Sequence, residues 1–323
     1  MIKWGIIGPG TIANAFANEV HNTEKGKLIA VYGRNEDKAR KFAKEYNLQK
    51  HYSNIDDFLN DKEIDAVYIA TPHSHHMEYA IKCIKAKKHI LCEKPFSYNK
   101  KTSEKVLSLA KENNVFIMEA LWTLFLPAVN KAKSWIDEGK IGKVKMITAN
   151  FGFESEVDVN SRLYNPNLAG GALLDVGIYP ILLSNFIMND IPKEINATAV
   201  MTSTNVDESD VISLKYKNNA LASLTCSIAS DTDNTAVIYG EKGKIVIPKF
   251  WMSKNAYLYT KNEELSFQDN YEGTGYMYEI MEANECILNE KLESSIASHK
   301  FTLDLANIMD DIREKIGLVY PFE

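Results

Sequence analysis

Residues 2–7, IKWGII, form a short and mostly apolar run that ends on Gly8-Pro9-Gly10-Thr11-Ile12-Ala13, after which Ile12, Phe16 and Val20 recur at helical spacing. A buried strand that feeds a tight turn and then a helix satisfies all three features. A second buried strand, 28–32, ends at Gly33-Arg34-Asn35 and completes a strand-helix-strand unit. In that context the glycine spacing predicts dinucleotide binding. Gly8 makes the turn, and Gly10 lets the backbone approach a pyrophosphate. Ala13 permits close helix-strand packing, and the helix start, with Thr11 and Ile12 in its first turn, attracts phosphate charge.

About twenty residues past such glycines, an NAD site offers Asp or Glu to the ribose hydroxyls. This chain offers Arg34 instead, one of only four arginines. A guanidinium cannot accept from hydroxyls, but it can clamp a 2'-phosphate and stack on adenine. Lys38 follows one helical turn later. The expected cofactor is therefore NADP, with NAD still possible.

The strand-helix rhythm continues through a helix at 37–46, a strand at 66–70 and a helix carrying Met77, Ala80, Ile81 and Ile84 on one face. A strand at 89–92, a helix at 102–112 and a strand at 115–118 complete it, which predicts an α/β Rossmann domain with a parallel doubly wound sheet over 1–119. Over 120–323 the pattern changes. A helix at 125–138 precedes strands at 144–153, 195–201, 211–216, 220–227 and 236–239, and two helices close the chain at 277–288 and 301–316. Successive strands without intervening helices predict an α+β domain with an open, mainly antiparallel sheet. No Pro- or Gly-rich linker separates the halves, so a cleft between them is the expected place for a site.

Composition narrows the partners. Apolar residues are 45% and charged residues 25% of 323, which excludes a mainly disordered or collagen-like chain. Lys and Arg number 37 against 43 Asp and Glu, and the net charge of -6 disfavours nucleic acid and favours a small-molecule partner. The apolar stretches 121–129 and 178–188 fall short of the roughly 20 residues of a membrane span, so no membrane crossing is expected. The opening MIKWGIIGPG lacks a basic leader and cleavage site, and Cys83, Cys92, Cys226 and Cys286 have no metal-ligand spacing. A cytoplasmic protein with reduced thiols is expected.

Three further constellations could carry chemistry. Glu93-Lys94-Pro95 follows a strand, where open α/β sheets bind ligands, although on spacing alone it is also a surface ion pair. In Gly170-Gly171-Ala172-Leu173-Leu174-Asp175-Val176-Gly177-Ile178-Tyr179, Asp175 and Tyr179 share a face if they lie on one helical turn; the alternative is a helix-start acid and a core tyrosine. His73, His75 and His76 lack the spacing of a closed metal site, so no metal is assigned. Among the aromatics of Trp122-Thr123-Leu124-Phe125, Phe151 and Phe153, Trp122 is taken as an apolar substrate wall.

Together the G-x-G-x-x-A turn, Thr71-Pro72 with His76, Glu93-Lys94-Pro95 and Gly-Gly-x-x-x-Asp-x-Gly-x-Tyr resemble the glucose-fructose oxidoreductase/inositol dehydrogenase/rhizopine catabolism family (Gfo/Idh/MocA) over nearly the whole chain. The resemblance implies a Rossmann domain, an open-sheet domain and a nicotinamide cofactor contacted by Thr71, Pro72, His76, Glu93 and Lys94. Most members carry histidine where this chain has Tyr179. Tyrosine there, with Glu119-Ala120-Leu121-Trp122-Thr123, resembles the dimeric dihydrodiol dehydrogenase branch, which uses NADP. Leu124 departs from that branch, where a basic residue is common.

The resemblance gives the candidates roles in hydride transfer to or from a secondary alcohol or carbonyl of a sugar-like or cyclic diol substrate. Tyr179 becomes the acid/base, its phenol pKa lowered from near 10 by Lys94, and Asp175 orients the pair. The reverse assignment, with Lys94 moving the proton, stays open. Arg162 becomes a contact for an anionic or polyhydroxylated substrate. A homo-oligomer through the second-domain sheet is expected. The alternative function is a non-catalytic, nucleotide-sensing regulator that keeps the fold.

Overall fold

The computed structural model describes residues 1–323, which divide into two compact units. Met1–Trp122 with Gly273–Leu303 forms the first, and Thr123–Glu272 with Asp304–Glu323 forms the second. The division differs from a cut at 119/120 because the chain returns to the first unit over Gly273–Leu303. The return is anchored at Trp4, whose Nε1 donates to Asn284 Oδ1 at 2.9 Å.

In chain order the elements are β1 (Ile2–Ile7), α1 (Thr11–Val20), β2 (Gly26–Tyr32), α2 (Glu36–Glu45), β3 (Lys50–Tyr52), α3 (Ile55–Asn60), β4 (Ala66–Ile69), α4 (His76–Lys85), β5 (His89–Glu93), α5 (Lys100–Glu112) and β6 (Ile117–Ala120). They continue with α6 (Pro127–Asp137), β7 (Val144–Gly152), α7 (Ile178–Met188), β8 (Glu194–Met201), β9 (Asp207–Lys215), β10 (Leu221–Ser227) and β11 (Ala236–Gly240). The last are β12 (Gly243–Ile247), β13 (Asn255–Thr260), β14 (Glu264–Gln268), α8 (Tyr276–Leu288) and α9 (His299–Ile316).

The first unit carries a six-stranded parallel sheet in the order β3-β2-β1-β4-β5-β6, the doubly wound order of dinucleotide-binding folds. All four residues of β4 are buried, as expected for strands covered on both faces. Burying each Ile, Val or Leu of this core contributes about 1.5–3 kcal/mol relative to exposure, which outweighs the weak propensities of its short strands. β3 and α3 escape the sequence reading because three and six residues are too few to establish a period.

The second unit carries an eight-stranded sheet in the order β14-β13-β12-β11-β7-β10-β9-β8. Six neighbouring pairs are antiparallel, as the succession of strands predicts, and β7 with β10 is parallel. The long connection through α7 lets the chain cross over before the β8-β9-β10 meander returns to β7. The helical run Pro166–Met188 is long and apolar enough to cross a membrane, longer than the sequence reading allowed. Yet 89% of its apolar window is buried inside the structure, which marks a core helix. On the opposite side of the sheet, Met146, Val200, Val211 and Leu221 are exposed.

Candidate active site

Five parallel strands end along one edge of the first sheet, and a motif follows each within two residues: Gly8 after β1, Arg34 after β2, Thr71 after β4, Lys94 after β5 and Trp122 after β6. Ile7 lies opposite both Tyr32 and Ile69, Ile69 opposite Cys92, and Glu93 opposite Ala120, so these ends are level. Gly8 has φ +98°, and a Cβ there would stand 2.9 Å from the Ala70 carbonyl oxygen. Only glycine makes that turn without strain. At Gly10 the nearest such atom is 4.0 Å away, which leaves the backbone open to approach.

Three helices of this unit start on an asparagine whose side chain accepts a backbone N–H: Asn35 from Lys38, Asn54 from Asp56 and Asn99 from Thr102. α1 starts on Gly10 with no side-chain cap and no acid in its first turn. Its unfilled N–H groups and positive dipole end suit a phosphate. Arg34 and Lys38 are exposed beyond β2. Burial and, after it, the Arg34 guanidinium hold the His75 imidazole below its ordinary value, so His75 shares the field of that corner. These residues fit a nicotinamide dinucleotide that carries a 2'-phosphate.

Lys94 is half-buried and joined to Pro95 by a cis peptide. The groups around it hold its turn from below. The Glu93 carboxylate, expected at the cofactor, is 4% exposed and turned inward, where Oε1 accepts from the Tyr68 hydroxyl and Oε2 from the Lys94 backbone N–H at 3.2 Å. His76, expected likewise at the cofactor, is fully buried, and burial pushes its imidazole down to about 4. Its Nδ1 lies 2.9 Å from the Pro95 carbonyl and its Nε2 2.9 Å from the Thr71 carbonyl, so it ties two strand-end turns together through their backbones. Glu119 accepts from Phe96 N at 2.7 Å and from Thr302 Oγ1 at 2.8 Å; burial raises its carboxyl to about 7.

In the second unit, Leu173–Gly177 forms a single π turn that runs directly into α7. Asp175 lies on that turn and Tyr179 on the first turn of α7, so the two share a continuous helical path but not one α-turn. Arg162, read as a substrate contact, reaches back to Asp175: Nη1 donates to Oδ1 at 2.7 Å. Around Tyr179 stand Phe151, with ring centroids 5.3 Å apart, and Trp251 at 6.1 Å. Phe151 and Trp251 stack on each other at 4.6 Å and 9°, while Thr123 Oγ1 holds the Trp251 carbonyl at 2.8 Å. Trp122, proposed from the sequence as the apolar wall, is 2% exposed and stacked on Tyr276 in the first unit, at 4.4 Å and 18°.

Residues 2–121 match the model of an oxidoreductase family with an NAD-binding Rossmann fold, and residues 129–246 match a GFO/IDH/MocA C-terminal domain. The chain belongs to the Gfo/Idh/MocA family of oxidoreductases. Among its relatives, the trans-1,2-dihydrobenzene-1,2-diol dehydrogenase of Danio rerio is 34% identical over 99% of this chain and 98% of its own length. The Xenopus laevis enzyme of the same name is 32% identical over 99% of each chain. A 3-ketoreductase from Actinomadura kijaniata, solved with NADP and TDP-benzene, superposes with a TM-score of 0.89 at 21% identity over 98% of each chain. A levoglucosan dehydrogenase, solved with NADH and levoglucosan, gives 0.89 and 21% over 98% of this chain and 97% of that one.

Within this Gfo/Idh/MocA member the candidates separate by place. Gly8 and Gly10 form the turn between β1 and α1, Thr11 and Ile12 open α1, and Thr71 and Pro72 follow the neighbouring strand β4. Lys94 offers an ammonium, Tyr179 a hydroxyl, and Asp175 a carboxylate fixed by a guanidinium. Sequence reasoning missed Trp251 and the buried acid Glu279, whose carboxyl is pushed up by burial and then by Glu93. Trp251 sits about seventy residues beyond Tyr179 in a short turn without any pattern. Glu279 lies among ordinary helix residues, so a charged letter in an amphipathic helix reads as solvent-facing.

Proposed function

We propose that this chain is an NADP-dependent dehydrogenase or reductase that moves a hydride between nicotinamide and a secondary alcohol or carbonyl of a cyclic diol or sugar-like substrate. The observation that carries the reading is the level edge of strand ends, which ranks Arg34, the Gly8–Gly10 turn and Lys94 side by side. Arg34 and Lys94 stand three strand spacings apart on that edge, roughly 14 Å. Arg34 with Lys38 takes the 2'-phosphate, the α1 start takes the pyrophosphate, and the nicotinamide, which supplies or accepts the hydride when bound, belongs at the Lys94 end. Tyr179 gives or takes the substrate hydroxyl proton, and the Lys94 charge stabilises the oxyanion that develops. Phe151 and Trp251 beside Tyr179 offer apolar faces to a ring substrate. The names of the diol dehydrogenase relatives and of the sugar-acting structural neighbours support that substrate class.

The test is turnover: NADP+ with trans-1,2-dihydrobenzene-1,2-diol and a panel of cyclic diols and sugars, followed by NADPH absorbance, beside fluorescence titrations with NADPH and NADH. NADPH is expected to bind at least ~10-fold tighter than NADH, the worth of one charge-assisted hydrogen bond. Tight binding without turnover on any panel member would favour the regulator. We also propose a homo-oligomer built on the exposed sheet face, on which Met146, Val200, Val211 and Leu221 stand among small polar residues such as Ser213 and Ser223. Sedimentation equilibrium is expected to give at least twice the chain mass; a single-chain mass refutes the interface. Four buried free thiols suit the cytoplasmic location we assign.

A further inference from the structure

Below the turn that carries Asp175 lies an acid pair to which the reaction assigns no part. Asp207 and Asp210 are three residues apart on β9, a spacing that normally sends side chains to opposite faces. The pairing of β8 with β9 shifts beside Asp207, and this bulge turns both carboxyls inward, where they are at most 2% exposed. Asp207 Oδ2 accepts the backbone N–H of Leu173, the first residue of the π turn. Asp207 Oδ1 occupies the space that a side chain on Gly171 would need: a Cβ there would lie 2.0 Å away, and Gly171 has φ +114°.

Asp210 reaches the other end of the turn. Its Oδ2 accepts the Cys226 thiol at 3.1 Å, from the residue directly opposite on β10. The Cys226 sulfur in turn packs on Gly177, where a Cβ would stand 2.8 Å away. The same row of the sheet continues to Phe151, opposite Cys226 on β7 and in contact with Tyr179.

Neither Asp207 Oδ1 nor Asp210 Oδ1 receives an N–H or hydroxyl from any other residue, and both are sealed from solvent. Two adjoining carboxyls in such a place strongly disfavour ionising together. Burial and then the neighbouring Asp207 charge raise Asp210 to about 9; burial raises Asp207 as well, opposed by the Leu173 N–H, by Asp210 and by the Arg313 cation. Tyr320 and Cys226 are the other titratable groups facing the pair, and Tyr320 donates to the Gly170 carbonyl at 2.7 Å.

We propose that Asp207 and Asp210, joined by one proton, are positioning residues of the reaction, which hold the π turn at both ends and thereby set the placement of Asp175 and Tyr179. The proposal rests on the reading that those two act at the substrate. It is tested by steady-state kinetics with NADP+ and trans-1,2-dihydrobenzene-1,2-diol, and by amide hydrogen exchange over 171–179. Asp207→Ala is expected to lower kcat ~100-fold, the cost of misplacing a reacting group by about 1 Å, and to speed exchange in that segment alone, with NADPH affinity within ~2-fold of the parent. Asp207→Asn is expected to restore kcat to within ~5-fold, because its amide oxygen accepts from Leu173 and its amide hydrogens bond Asp210 without a shared proton.

Parental kcat and parental exchange in Asp207→Ala would overturn the proposal, as would a kcat loss that Asp207→Asn does not recover. Tyr179→Phe at the parental rate would instead overturn the reading of Tyr179, which separates the two failures. If Asp207→Ala does not fold, Cys226→Ala decides: it leaves both carboxyls and removes the thiol between Asp210 and Gly177. Faster exchange at 177–179 supports the proposal, and unchanged exchange overturns it.

Discussion

Lys94→Met is expected to reduce kcat by ~10²- to 10³-fold while leaving NADPH affinity within a few-fold of the parent. Met keeps the length and the apolar stem of the side chain but removes the charge, so what is lost is stabilisation of a developing oxyanion, typically worth about 10²–10³ in rate. Cofactor affinity should be retained because the proposed phosphate contacts lie elsewhere, at the uncapped start of α1 and at the exposed cations beyond β2. Tyr179→Phe is expected to cost ~10²–10⁴ through loss of proton transfer, with the Phe151 and Trp251 packing around the ring preserved. If both groups serve one proton transfer, as proposed, the double variant is expected to be little worse than the poorer single variant, because effects of groups that act as a unit are not additive. Steady-state kinetics with a parallel fluorescence titration checks all three. Lys94→Met within tenfold of the parent rate would remove Lys94 from the mechanism.

Arg34→Asp is expected to invert the cofactor preference. A charge-assisted hydrogen bond to phosphate contributes about 1.5–3 kcal/mol, so NADPH affinity should fall ~10- to 100-fold. The new carboxylate repels a 2'-phosphate and accepts from ribose hydroxyls, so NADH affinity should rise by up to ~10-fold. Position 34 is suited to the exchange: it is an exposed loop residue between β2 and the Asn35 cap of α2, and its replacement disturbs neither. Titration of the variant with both reduced cofactors measures the ratio directly, and an unchanged ratio would assign the 2'-phosphate contact to Lys38 or to His75.

The first unit is largely legible in its letters because its information is local. The run 2–7, the turn at Gly8–Gly10 and the stripe of α1 lie within twenty residues and specify strand, turn and helix by composition and period alone. Once the strands are parallel and level, every motif at a strand end must reach the same edge, so Gly8, Arg34, Thr71 and Lys94 could be grouped before any coordinates. The site of the second unit is different. Asp175 and Tyr179 stand out through their glycines, but their supports do not: Arg162 is expected at the substrate rather than on Asp175, and nothing in the local pattern marks Asp207, Asp210 or Trp251.

The sequence by itself therefore determined the doubly wound unit, its glycine turn after β1, the cation beyond β2 and the family to which the chain belongs. Only the tertiary structure decided that Arg162 serves Asp175, that Glu93 and His76 brace strand ends from within, and that an acid pair lies under the π turn. The physical reason is the range of the interactions. Periodicity and turn chemistry act between near neighbours, whereas sheet register and a bulge in β9 bring together residues dozens of positions apart and turn two aspartates from solvent into the core.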